Sequence, residues 1–486
     1  MRHHLQVYYV TFLILLFVHP VFAQHGEAMI FGHKYSVHSE ILQEERPYMV
    51  YLPESYANDE NPFIVLYLLD GQAHFLHTAG IVSFLMSQEK IPGVIVVAVP
   101  NTSDRTHDLT PGIELDSSAM AGFPSAGGAD NMLKFLRDEL IPEIESKYRT
   151  APFRILVGHS FGGIFSINAL MQEPDLFGAH VSISPSLWWD QQNLVRKVDD
   201  FISSRDTLDV FYYMTMGNEG GSMLGGAMKV AALFEEKAPV DFQWDFKVME
   251  EETHGSIPHR SLYQGLEAIF KEWADADLEE LFVLGGISGI ENHYKKYAKK
   301  YGLHSELTES LINELGYDLL HKGAYASALQ VFLENISRFP NSGNTYDSVG
   351  EVYSEIGDPQ KAIEYYKKSL EYNPVNENAV KMLDQLGVKV DPMENQIEIT
   401  PQLMQKIVGV YAADQAGEVT IANVNGKAIL TGTGLPEQTL KAFPNNLFAL
   451  TPANVILFFT YNLDGNIEGY EVQFGVGQKQ FVNKVK

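Results

Sequence analysis

The pentapeptide Gly158-His159-Ser160-Phe161-Gly162 lies between two apolar runs, Phe153 to Val157 and Ile164 to Met171. That context predicts a strand, a sharp turn and a helix, with Ser160 at the turn. A serine hydroxyl becomes a useful nucleophile when it is held at the tip of such a turn, where small flanking residues relieve crowding around a strained backbone. Gly158 and Gly162 meet that need. The amide of Phe161 then opens the helix, where an unpaired N–H and the positive end of the dipole can meet a developing oxyanion. In a chain with 39 glycines the bare G-x-S-x-G pattern is weak, and a tight turn carrying a surface serine is the bland alternative. The flanking strand and helix patterns favour the nucleophile.

Such a serine needs a base within hydrogen-bond reach and a carboxylate that orients it. On an α/β-hydrolase sheet the chain order is nucleophile, acid, histidine, each in a loop at the carboxyl end of a strand. After Ser160 the strand pattern Val210 to Met216 runs into Gly217-Asn218-Glu219-Gly220-Gly221, which presents Glu219. The next strand pattern, Phe242 to Val248, leads into Thr253-His254-Gly255-Ser256, so His254 is the candidate base. For the acid, Glu219, Asp245 and a Ser-His dyad without an acid stay open. A second oxyanion donor is expected after an early strand, and the turn Asp70-Gly71-Gln72 offers the amide of Gln72 beside that of Phe161. Asp70 itself precedes the nucleophile, the wrong place for the acid. Trp188 and Trp189 either line the substrate pocket or pack in the core. Arg105 either binds a polar substrate group or pairs with Asp108 to hold its loop. No cluster has zinc or calcium spacing, no phosphate loop appears, and hydrolysis by this route needs no cofactor.

The elements that would position these groups fall into three parts. From 31 to 274, buried strand patterns (Phe63 to Leu69, Val94 to Val99, Phe153 to Val157, His180 to Ile183, Val210 to Met216) alternate with amphipathic helical ones. The expected fold is an α/β-hydrolase-type, doubly wound, mostly parallel sheet, with antiparallel edge strands around Ser36 to Leu52. A linker helix is expected over 275–306. From 307 to 387 a 34-residue repeat sets Gly316, Gly323, Ala328, Phe332 and Pro340 against Gly350, Gly357, Ala362, Tyr366 and Pro374. This α-helical segment resembles a pair of tetratricopeptide repeats, which implies either a groove for a protein partner or a spacer. From 395 to 486 short strand patterns and the hairpin signals Asn425-Gly426 and Asp464-Gly465 predict a small all-β barrel or sandwich, similar to a lipocalin-like module.

Composition sets outer limits. The formal net charge of -27 argues against nucleic acid as a partner and against docking on anionic lipid. The absence of cysteine excludes disulfides, thiolate metal sites and a cysteine nucleophile. Residues 1–23, with the apolar block Val7 to Val18 before Val21-Phe22-Ala23, read as a secretory signal peptide or else as an uncleaved anchor; no later segment resembles a membrane span. The expected location is a bacterial periplasm or the exterior.

Taken in order, "RPYMVYLPESY", "YLLDGQAHF", "NTSDRTHDLTP", "GHSFGG", "SISPSLWW" and "ETHGS" resemble the putative esterase family related to esterase D, in its enterobactin and salmochelin esterase-like branch. The resemblance spans about Ser36 to Trp273. It implies carboxylic ester hydrolysis through an acyl-enzyme, with Ser160 and His254 at catalytic positions and Arg105, Trp188 and Trp189 near the cleft. The implied substrates are small esters, from siderophore lactones to aromatic-acyl or carbohydrate-linked esters. A hydrolase-shaped scaffold that binds a partner or glycan without turnover is the alternative.

Overall fold

In a computed structural model the described residues are 30–485, apart from 58–60, 103, 116–117, 119–120, 275–276, 305, 392, 414–416, 433–434, 452–454, 463 and 475–477. The expected signal peptide lies outside them. Residues 32–486 form one compact unit.

Eight strands build the first sheet: β1 His33–Ser39, β2 Glu44–Tyr51, β3 Phe63–Leu69, β4 Val94–Val99, β5 Thr150–His159, β6 Ala179–Ile183, β7 Phe211–Gly217 and β8 Gln243–Met249. Their order is β1-β2-β4-β3-β5-β6-β7-β8. β1 and β2 are antiparallel, β2 meets β4 antiparallel, and β3 to β8 run parallel. The fully apolar β3 and β4 are buried along their whole length, as central strands covered on both faces require. Helices Gly71–Ser87 and Ile257–Ile269 cover one face through Val82, Leu85, Leu262 and Leu266. Met132, Leu133, Phe135 and Leu136, together with Phe165 of helix Phe161–Gln172, cover the other. The sheet is therefore doubly wound, and its parallel strands deliver the turns after β3, β5, β6 and β7 to one edge.

The far edge of the sheet holds the rest of the chain. Helix Leu278–Tyr301 sends Tyr301 onto Phe153, near the amino end of β5, with ring centroids 5.0 Å apart. The Tyr301 hydroxyl donates to the Ile269 carbonyl at 3.1 Å. Two antiparallel helix pairs follow, Glu309–His321 with Tyr325–Arg338 and Gly343–Glu355 with Pro359–Tyr372, and then Glu377–Gln385. The 34-residue spacing has a steric origin: a Cβ at Gly316 would enter the Phe332 ring, and one at Gly350 would come within 2.9 Å of the Tyr366 ring.

The last eight strands close an antiparallel barrel: β9 Gly409–Ala413, β10 Gly417–Val424, β11 Lys427–Gly432, β12 Leu435–Ala442, β13 Leu447–Thr451, β14 Val455–Tyr461, β15 Ile467–Phe474 and β16 Gln478–Lys484. Its interior is packed by Tyr411, Ile421, Leu430, Leu440, Leu457, Phe459 and Tyr470. Helix Pro401–Ile407 closes one end, with Met404 and Ile407 in that core. Among the described residues no helix is long and apolar enough to cross a membrane.

Candidate active site

Ser160 is the hinge between β5 and helix Phe161–Gln172 and holds φ 61° and ψ −112°, a backbone state that L residues rarely adopt. Its amide donates to the Ile183 carbonyl at 2.9 Å, which fixes the turn to β6. Gly158 is obligatory, because a Cβ there would collide with the Gly162 carbonyl. Gly163, one residue further, is also required: a Cβ there would stand 2.9 Å from the Pro185 Cα. At Gly162 the same atom would make only ordinary contacts, so the second glycine of the motif serves as close-packed backbone.

His254 and Glu219 meet. The Glu219 carboxylate accepts at Oε2 from His254 Nδ1 at 2.7 Å, and the carboxylate side chain is only 10% exposed. Their two loops are laced together by the Asn218 amide, which donates to the Glu252 carbonyl at 2.8 Å. Asp245, the other acid considered, lies mid-strand on β8 and pairs with Lys247. The His254 ring lies 4.5 Å, centroid to centroid, from the ring of His159, the residue before the serine. Ser160 Oγ itself shares a 3.2 Å hydrogen bond with Ser186 Oγ, and no hydrogen bond joins it to His254 among the described residues.

Two amides at helix starts lack an acceptor within their own helices. Phe161 is the first residue of its helix. Gln72 is the second of helix Gly71–Ser87, whose next two amides go to the Asp70 carbonyl. The Asp70 turn and the serine turn are neighbours, since β3 and β5 pair in parallel and a Cβ at Gly162 would stand 3.4 Å from Asp70 Oδ2.

Arg105 takes a different partner from the expected Asp108. Its guanidinium forms a two-pronged pair with Asp70, Nη2 to Oδ2 at 2.8 Å, and also donates to the His159 carbonyl at 3.2 Å. Asp108 is already engaged by buried Arg46 at 2.6 Å. Burial alone would raise the Asp70 carboxyl, but Arg105 and Asn101 outweigh it and hold the group below the usual carboxylate range. The tryptophans divide between their two readings. Trp189 is core, with its Nε1 donating to the Pro111 carbonyl at 3.3 Å. Trp188 is half-buried, beside Phe123 and Phe161 at 5.8 and 6.2 Å between ring centroids.

Sequence reasoning passed over Ser186, His159 and the structural use of Asp70. The only local signals were a serine two residues beyond the turn after β6, a ring next to Ser160, and an Asp-Gly turn.

Residues 39–257 match the family model described as putative esterase. That match covers less than half of the 486-residue chain. The ferri-bacillibactin esterase BesA of Bacillus subtilis is 33% identical over 155 residues, 29% of this chain and 53% of that relative. The siderophore enterobactin esterase of Emericella nidulans is 32% identical over 158 residues, 28% of this chain and 51% of that relative. The chain thus spans about half the length of these curated relatives. Among solved structures, an IroE-like serine hydrolase from Shewanella oneidensis is 28% identical with a TM-score of 0.54, covering 63% of this chain and 99% of that one. The α/β part of the chain shares its sheet and helix layers with this esterase-like group.

Proposed function

We propose that the chain is a serine ester hydrolase acting through an acyl-enzyme, with Ser160 as nucleophile, His254 as base, Glu219 as orienting acid and the amides of Phe161 and Gln72 as oxyanion donors. The observation that carries this reading is the 2.7 Å Glu219–His254 pair at the sheet edge where Ser160 is held at φ 61°. In the first half of the reaction Ser160 Oγ attacks the ester carbon, its proton passes to His254 Nε2, and the imidazolium then protonates the departing alcohol. Water repeats the sequence on the acyl-enzyme. For this chemistry the Ser160 hydroxyl must leave Ser186 and reach His254 Nε2.

The substrate class we assign is a compact ester with an aromatic or lactone acyl part, of the siderophore type named for the relatives. Trp188, Phe123 and Phe161 offer it an aromatic wall. Arg105 is occupied by Asp70 and acts in this reading by bracing the two turns. We further propose the division 31–274, 307–387 and 395–486, with tetratricopeptide-like helix pairs and a lipocalin-like barrel as partner-facing modules, and secretion directed by residues 1–23. The Ser160–Ser186 bond favours a second reading, a scaffold without turnover.

A fluorophosphonate probe separates the two. The ester hydrolase reading expects stoichiometric labelling of Ser160, found by peptide mass and absent in Ser160→Ala, together with hydrolysis of p-nitrophenyl butyrate. An unlabelled protein that hydrolyses no ester supports the scaffold.

A further inference from the structure

Three histidines near the site have no task in that scheme. His254 lies 4.5 Å from His159 between ring centroids, His159 lies 5.6 Å from His74, and His77 lies 5.5 Å from His259. Between them His74 Nδ1 and His77 Nε2 share a 3.1 Å hydrogen bond. Five rings from four separate elements therefore form one file, beginning at the base and ending at His259, which is exposed on helix Ile257–Ile269. The file is not a metal centre: among the described residues no three His, Asp or Glu side chains are placed to hold an ion.

The inner rings are uncharged at neutral pH. Burial pushes His74 down, His77 down to about 4 and His159 down to about 3, with neighbouring histidines adding to the effect on the last two. The charged groups facing them, Asp70 and Arg105, oppose one another. A neutral imidazole carries one N–H and one lone pair, so it can accept a proton on one nitrogen while releasing the proton on the other. Rings this weakly basic do not retain what they receive. His159 Nε2 and His77 Nδ1 are buried without a hydrogen-bond partner among the described residues, whereas His254 Nδ1 is locked by Glu219.

We propose that His159, His74 and His77 are a proton relay connecting His254 to the surface at His259; this rests on His254 being the base. Ester hydrolysis yields one acid per turnover. The acid product gives its O–H proton to the lone pair of His254 Nε2 and leaves as carboxylate. His254 passes that proton to the free lone pair of His159, which releases the proton on its other nitrogen towards His74. The same exchange continues through His77 to His259, from which solvent removes it. Each inner ring ends neutral in its other tautomer and resets by rotation. The His74–His77 bond is the one direct hydrogen bond of the file; in the relay each other link is made by a turn of the ring. The route runs along helices Gly71–Ser87 and Ile257–Ile269, away from the Trp188 loop.

The test measures kcat of the intact chain at saturating p-nitrophenyl butyrate, in dilute zwitterionic buffer with and without added imidazole. The Ser160→Ala rate in the same solution is subtracted, which removes hydrolysis by imidazole itself. Wild-type kcat is expected to ignore imidazole, while His77→Gln loses about tenfold in kcat at unchanged KM and regains it to within about twofold when imidazole is added. His259→Gln sits on the surface and shows the same pattern, so it decides the matter if His77→Gln does not fold. Wild-type kcat in both variants, or a loss that imidazole does not restore, overturns the relay while leaving the serine mechanism intact. Hydrolysis undiminished in Ser160→Ala, or none by the wild type, removes the base and the relay together.

Discussion

Of the regions that hold backbone in the left-handed half of conformational space, the sheet edge and the barrel fill it with different residues. At the sheet edge the residue immediately after β3, β5 and β6 has positive φ in each case: Asp70 at 54°, Ser160 at 61° and Ser184 at 38°. In the described turns of the barrel, positive φ falls on Asn425, Gly426, Asn445, Asn446 and Gly465, residue types that take this geometry at little cost. The barrel has relieved its turns, and at the sheet edge Asp70 takes a left-handed state that aspartate also tolerates, but Ser160 and Ser184 are not relieved. There the strain is held from outside, by the Ser160 amide on the Ile183 carbonyl and the Ser184 amide on the Thr215 carbonyl. Backbone strain of about 1–3 kcal/mol per residue persists only where surrounding structure over-determines it, and such positions cluster where chemistry needs a group in one place.

The comparison breaks most visibly at Ser160 itself. Ser160→Gly should lower kcat about a thousandfold or more, since it removes the proposed nucleophile, yet raise the melting temperature because glycine accepts φ 61° freely. Activity and calorimetry on the same sample read both signs; a fall in stability would show that the turn is not strained. Next in size is Gly158→Ala. The added methyl enters the Gly162 carbonyl, so the turn must open, and we expect a stability loss of about 3 kcal/mol with activity lost as well. Chemical denaturation with tryptophan emission as readout measures it.

Most of the scaffold was legible because it is local. The strands β3, β4, β6 and β7 fall within a residue or two of the apolar runs that predicted them, since a buried parallel strand must be apolar along its whole length. The Gly316 and Gly350 repeat was legible for the same kind of reason, as a ring needs a missing side chain opposite it. Partner choice was not legible. Arg105 has Asp108 three residues away and Asp70 thirty-five away, and only the parallel pairing of β3 with β4 decides for Asp70. The same holds for Ser186 beside Ser160 and for the histidine file, which draws on residues separated by up to 185 positions, from 74 to 259.

Acid should divide the two regions next. His180, on β6, is fully buried, its Nδ1 against Ser166 Oγ at 3.1 Å, and burial pushes it from 6.5 down to about 3. Its folded value lies below its unfolded one, so the unfolded chain binds more protons as pH falls. The stability it contributes is therefore complete above about pH 6.5 and declines towards about pH 3, by about 1.4 kcal/mol per unit. His159 and His77 act in the same direction. No histidine follows His321, so the barrel lacks this term. All four tryptophans, at 188, 189, 244 and 273, lie in or beside the first sheet. Their emission should report a melting temperature that drops between pH 7 and pH 5, while a barrel transition followed by circular dichroism moves less. A common shift of both would mean that the regions unfold as one.

The smallest expected effect sharpens the contrast from the barrel side. Asn425 and Gly426 make the two-residue turn between β10 and β11, with Val424 paired to Lys427 and φ values of 52° and 83°. The Gly426 amide is further held by Asn423 Oδ1 at 2.9 Å. Asn425→Ala replaces a residue that tolerates this conformation by one that does not, and should cost the barrel about 1 kcal/mol. Asn425→Gly should cost almost nothing, which separates backbone strain from loss of the side chain. Neither change should alter kcat on a chromogenic ester. The barrel meets the preceding segment at Val375 and Met393, both in turns, whereas the contact of the helical part with the sheet is made by Tyr301 near the amino end of β5, and Ser160 stands beyond the carboxyl end of that strand. A fall in kcat in Asn425→Ala at unchanged fold would mean that a relieved turn nevertheless communicates with a strained one across the length of the sheet, and the separation drawn between the two regions would fail.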